Sequence, residues 1–211
     1  MFKQISKELR NHAPFTVFGA VTGIITIIFF QKLPVNVSYN IFYILHPLHV
    51  VLSALVTASM YELHRHSRLG VKCNLWILLA IGYLGSIGIA TLSDSLIPYL
   101  GELLLDLPNR GLHLGFIEKW WLVNPLAIIG IAIAYCRPAT KFPHAGHVLL
   151  STWASLFHII MAFGGKMYLS WILISIIFLF LFLAVWLPCC VSDIVFPLLF
   201  VRPVRNTKDA I

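Results

Sequence analysis

HPLHVVLS, residues 46 to 53, is echoed by HAGHVLLS, residues 144 to 151. Five of the eight positions agree at a constant offset of 98: His46 with His144, His49 with His147, Val50 with Val148, Leu52 with Leu150 and Ser53 with Ser151. A second pair of segments keeps nearly the same register, since SDSLIPYL from Ser93 matches SDIVFPLL from Ser192 at an offset of 99. A weaker third match sets APFTVFGA from Ala13 against NPLAIIGI from Asn124, pairing Pro14 with Pro125 and Gly19 with Gly130. Self-similarity of this kind marks a duplicated structural unit. The matches divide the 211 residues into halves of about 1–105 and 106–211 within one domain.

Both copies lie in strongly apolar sequence. Hydrophobic residues make up 59% of the chain and charged ones 11%, with a mean hydropathy of +0.89, which excludes an ordinary soluble domain. An all-α integral membrane protein is expected, with the lipid bilayer as its first partner. Apolar runs begin near Ala13, Asn40, Leu75, Trp121, Val148 and Leu169, and a helix of ~20 residues crosses a hydrocarbon core of ~30 Å. Six transmembrane helices follow, of which the fourth, Trp121 to Cys136, is the shortest. Three spans fall in each half. Because three is odd, the second half enters the membrane upside down, giving the inverted-topology repeat common among transporters.

Basic residues set the orientation. With these spans, Lys3, Lys7, Arg10, Arg65, Arg68, Lys72, Arg137, Lys141, Arg202, Arg205 and Lys208 share one side, while Lys32, Arg110, Lys119 and Lys166 take the other. The positive-inside rule then puts both termini in the cytoplasm. The net charge of +7 is read as this topology signal, and nucleic acid is not expected as a partner. The N-terminal apolar run is too long for a signal peptide and reads as a retained first span. Cys73, Cys136, Cys189 and Cys190 fall at or near the cytoplasmic side or within the sixth helix, which argues against a disulfide framework. Adjacent Cys189 and Cys190 suit a soft metal, but cysteine most often serves a helix as a small apolar packing residue, and that reading is preferred.

The duplicated positions are mainly polar, the groups most costly to keep in lipid. On a helix His46, His49 and Ser53 share one stripe, as do His144, His147 and Ser151. Asp94 and Asp193, from the second motif, can add a carboxylate to each stripe. Two imidazoles and a carboxylate suit zinc, iron or manganese while leaving positions open for water or substrate. The expected metal ligands are therefore His46, His49 and Asp94 toward the outer face, and His144, His147 and Asp193 toward the inner. Ser53, Ser93, Ser151 and Ser192 are expected to orient them from behind. The two sets either act as separate stations or meet in one dinuclear site, with Pro98 and Pro197 allowing the helices to bend.

The loop GELLLDLPNRGLHLGFIEKWW, from Gly101, adds Glu102, His113 and Glu118 at the outer side, as an ion-collecting vestibule or as acid and base. Trp120 and Trp121 read as headgroup-level anchors. His158 lies 14 residues after His144, a spacing that suits two haems, but its counterpart is Met60, and haem is the weaker choice. No Gly-rich phosphate loop, GxSxG or HExxH is present. The leading expectation is a transporter of divalent transition-metal ions. An intramembrane metalloenzyme acting on a lipid is the alternative, and a structural subunit or b-type haem protein of a membrane complex the third. A homo-oligomer is compatible with all three.

Overall fold

The computed structural model describes residues 2–30, 32–69, 74–165, 170–190 and 196–200. Among these residues the chain is helical, without strands. The order is α1 (Phe2–Phe30), α2 (Val35–Leu69), α3 (Leu75–Thr91), a π-helical turn (Leu92–Leu96), α4 (Ile97–Leu104), α5 (Gly115–Glu118), α6 (Trp120–Cys136), α7 (Lys141–Ala162), α8 (Trp171–Cys190) and α9 (Phe196–Leu199). Five stretches are long and apolar enough to cross a membrane: Ala13–Phe30, Val35–Arg65, Leu75–Leu104, Ala145–Ala162 and Trp171–Cys189. This is the architecture of a multi-pass membrane protein. The fourth expected span, α6, is a shorter apolar helix of 17 residues.

The surface is apolar, unlike that of a soluble fold, and the interior combines apolar clusters with a buried polar set. Phe18, Phe29, Ile44, Leu84, Leu104 and Ile172 are exposed, while Ser53, Ser93, Asp94, Ser151, Thr152 and Ser155 are buried along with His46, His49, His147 and His158. Lipid satisfies the first group, and hydrogen bonds inside the bundle must satisfy the second.

Helices α2 and α7, which carry the two copies of the opening motif, pack along each other at the centre. Around them α1 packs on α7 and α8, while α6 packs on α2 and α3. Missing side chains permit two of the close approaches. A Cβ at Gly19 of α1 would meet Thr152 Oγ1 of α7 at 2.9 Å. One at Gly130 of α6 would run into the Val51 carbonyl of α2 and stand 2.9 Å from Ala54 Cβ.

The span from Leu75 is continuous through the π turn into α4. Pro98 lacks the N–H that would bond the Asp94 carbonyl, and the Ile97 N–H reaches five residues back to the Leu92 carbonyl. From α7, the Ser155 hydroxyl takes the Ser93 carbonyl at 2.9 Å. Within this turn Ser93, Asp94 and Ser95 are all fully buried.

Candidate metal centre

Asp94 sits where α2, α7 and the π turn meet. Its Oδ2 accepts from His46 Nδ1 at 2.9 Å and from His49 Nδ1 at 2.7 Å. Its Oδ1 accepts from the hydroxyls of Ser93 and Ser151, both at 2.7 Å. An ionised carboxylate offers about four lone-pair sites and donates nothing. All four are taken by these bonds. The structure brings Asp94 together with His46 and His49, and in this arrangement Asp94 orients the imidazoles. It pins the proton of both rings on Nδ1 and so directs each Nε2 lone pair away from itself.

On the far side of His49 lies His147 of α7. The two rings stack with centroids 5.6 Å apart and an interplanar angle of 27°. Cys189, from the end of α8, completes a fully buried group in which one ligand atom each from His49, His147 and Cys189 lies within 4.8 Å of the others. With His49 Nδ1 held by Asp94, its available ligand atom is Nε2, which has no hydrogen-bond partner among the described residues. Zinc bonds of ~2.0 to 2.3 Å place tetrahedral donors roughly 3.5 Å apart, so a small rotation of the side chains would seat an ion.

The two histidine sets expected at opposite faces are thus joined through His49 and His147. The hydropathy of the sequence starts the second span near Asn40, whereas α2 begins at Val35 and runs for 35 residues, with His49 in its middle part. His144 lies in the first turn of α7, but its side chain is outside the described residues, as are Ser192 and Asp193. Ser53, the counterpart of Ser151, is buried without a hydrogen-bond partner among the described residues.

A second polar cluster occupies the end of the bundle beside residues 105–119. Glu102 is buried and accepts from His158 Nδ1 at 2.6 Å and from the Gly111 backbone N–H at 3.2 Å. Glu118 accepts from the Tyr43 hydroxyl at 2.6 Å and lies 3.4 Å from His113 Nδ1. The His113 and His158 rings meet edge to face at 5.4 Å. Phe42 stands between this cluster and the metal centre, edge-on to His158 and stacked on His46. Glu102, His113 and Glu118 are therefore neighbours, as the loop composition implies, but they do not share the centre of His49.

Two participants escape the sequence reading. Cys189 carries only its adjacency to Cys190 as a signal. His158 bonds a glutamate 56 residues away, a pairing that no spacing announces. Compared with known proteins, the chain matches no family model, no curated protein and no solved structure.

Proposed function

We propose that the chain binds a divalent transition-metal ion at His49, His147 and Cys189 and carries it across the membrane as two inverted three-helix repeats. One observation carries the reading: His49 and His147, equivalent positions of the duplicated motif, face each other inside the bundle. Equivalent residues meet in this way on a pseudo-two-fold axis, and inverted-repeat carriers hold their ion there while one half rocks against the other.

The packing supports the same symmetry. Gly19 abuts Thr152 and Gly130 abuts Ala54; both pairings belong to the repeat, because Ala54 and Thr152 are again 98 residues apart. Likewise the contact of α1 with α7 mirrors that of α6 with α2, and the contact of α1 with α8 mirrors that of α6 with α3. In this arrangement α6 serves as the fourth of six spans despite its length, and the basic residues put both termini in the cytoplasm. Two imidazoles and a thiolate favour zinc, and among softer ions copper(I), over manganese. Three protein donors leave one position for water, which eases entry and release of the ion.

The test is metal analysis of the purified chain after loading with zinc, iron(II), copper(I) and manganese in turn, followed by zinc uptake into proteoliposomes. Wild type is expected to retain zinc and to move it, and His49→Ala or His147→Ala to do neither. Metal absent from wild type overturns the reading. Bound metal without flux would favour the intramembrane metalloenzyme instead.

A further inference from the structure

Buried carboxylates are costly, and this protein contains a second one that the metal centre does not use. Glu102 lies eight residues beyond Asp94 on the same span, about 12 Å away at ~1.5 Å per residue. Its partner His158 is equally buried, and His158 Nε2 has no hydrogen-bond partner among the described residues. We propose that Glu102 and His158 form a proton-binding site coupled to closure of residues 105–119, so that the protein exchanges protons for its metal ion. The exchange rests on the transport reading above, whereas the proton site itself does not.

The coupling follows from how Glu102 is bonded. One carboxylate oxygen is held by His158 and the other by the Gly111 N–H. Adding a proton converts one acceptor oxygen into an O–H, so the carboxyl can no longer accept both bonds as strongly. The bond to Gly111 is the longer of the two and the one that fastens the segment. That segment also packs beside the candidate centre, since Gly115 lies against the edge of the His46 ring that Asp94 holds. It is also tied to the end of α7 by Asn109, whose backbone N–H reaches the Ala162 carbonyl at 2.9 Å and whose side chain reaches the Met161 carbonyl at 3.0 Å. Protonation of Glu102 therefore loosens one of a small number of latches.

Imidazoles stand between Glu102 and water: the His113 side chain is 27% exposed, and its ring meets that of His158 edge to face. The surrounding charges are paired among themselves: Glu118 with His113 and Tyr43, and Arg110 with Asp106 at the surface. Lys119 lies over the Tyr39 and Tyr43 rings of α2. From α8 the neighbour is Phe180, packed at Gly101, and His46 is screened by Phe42. None of these competes for a Glu102 oxygen. The pair is also absent from the other repeat, where Met60 stands for His158 and Val201 for Glu102.

Two experiments on the full-length chain test this. Glu102→Gln keeps an acceptor for Gly111 and a polar partner for His158 but cannot titrate. Infrared spectra of metal-free protein are expected to gain a carboxylic-acid C=O band as pH falls, and Glu102→Gln to lack it; no band in wild type, or the same band in the variant, overturns the proton site. His158→Gln is expected to shift the pH midpoint of that band, and an unmoved midpoint overturns its part in the pair. In proteoliposomes an imposed pH gradient is expected to accelerate zinc flux severalfold in wild type and not at all in Glu102→Gln, which still binds zinc in detergent. Gradient-independent flux in wild type, an intact gradient response in the variant, or loss of its zinc binding overturns the exchange. Should wild type bind no zinc, the exchange falls with the metal reading, while the infrared result still decides the proton site.

Discussion

The imidazole of His49 lies over that of His147, with ring centroids 5.6 Å apart, and Asp94 holds the other edge of His49 through Nδ1 at 2.7 Å. A bound ion would occupy the side of His49 that Asp94 leaves unbonded. Ligand and orienting group are thereby separated, and substitutions distinguish them.

Asp94→Asn is expected to weaken zinc binding by ~10- to 100-fold, the usual cost of losing a partner that orients a metal-ligating histidine. An amide has one acceptor oxygen in place of two, so it cannot receive both histidines and both serines. Ser151→Ala removes one hydrogen bond to a charged acceptor and should cost ~1.5 to 3 kcal/mol of stability. Competition with a fluorescent chelator measures the first effect and thermal unfolding in detergent the second. Complete loss of zinc binding in Asp94→Asn, matching His49→Ala, would sink the distinction.

Metal should also stabilise the fold. Free zinc at 100 times its dissociation constant adds ~2.7 kcal/mol to the native state when the unfolded chain does not bind it. Wild type should therefore unfold several degrees higher with zinc than with a chelator, by about 2 to 4 °C per kcal/mol at this chain length. His147→Ala should show the same Tm in both conditions. A zinc shift that survives in His147→Ala would move the site elsewhere.

Cys189→Asp exchanges a soft thiolate for a hard carboxylate at nearly the same place. Preference should move from zinc and copper(I) toward manganese, following the match of donor and metal softness. Competition between metals, measured by elemental analysis of the loaded protein, checks this. An unchanged order of preference would remove Cys189 from the centre.

The inward-facing histidines were legible because duplication repeats them, and because a polar stripe in an apolar span has to face the bundle interior. Cys189 was not, since the same thiol packs as a small hydrophobe wherever no imidazole faces it. Asp94 stands in a π turn in which Ser93 and Ser95 are buried beside it. Hydropathy does not encode such a turn, although Pro98 hints at a break in the ladder. Hydropathy also fixes a span only by its apolar part, so it misplaced the start of α2 and held His49 apart from His147. The fold class was accessible for the opposite reason: a chain with this many apolar residues has to bury its polar ones against each other.

Helix contacts at glycine supply a test of the packing. At Gly130 an added methyl would meet the Val51 carbonyl, and backbone cannot rotate aside. Gly130→Ala should therefore force α6 away from α2 and cost ~1 to 3 kcal/mol, as overpacking does. At Gly88 nothing lies within 4 Å of the added Cβ, and the change should be neutral or gain up to ~1 kcal/mol from helix propensity. Thermal unfolding of the two variants in one detergent gives the comparison. Equal midpoints would mean that α6 does not pack on α2 as described.

Gly115 tests the closing segment directly. An added Cβ would run into the Cδ2 and Nε2 edge of the His46 ring. That ring is stacked on Phe42 and bonded to Asp94, so the segment, fastened at Gly111 and Asn109, is the softer partner and should lift. His46 is not one of the three grouped donors, and equilibrium zinc affinity should fall little. The rate of zinc association should rise, because the segment beside the centre has been displaced. Stopped-flow mixing of Gly115→Ala with zinc reads this rate, and the chelator competition reads the affinity. If affinity drops while association stays at the wild-type rate, the His46 ring has yielded instead, and residues 105–119 do not control access to the ion.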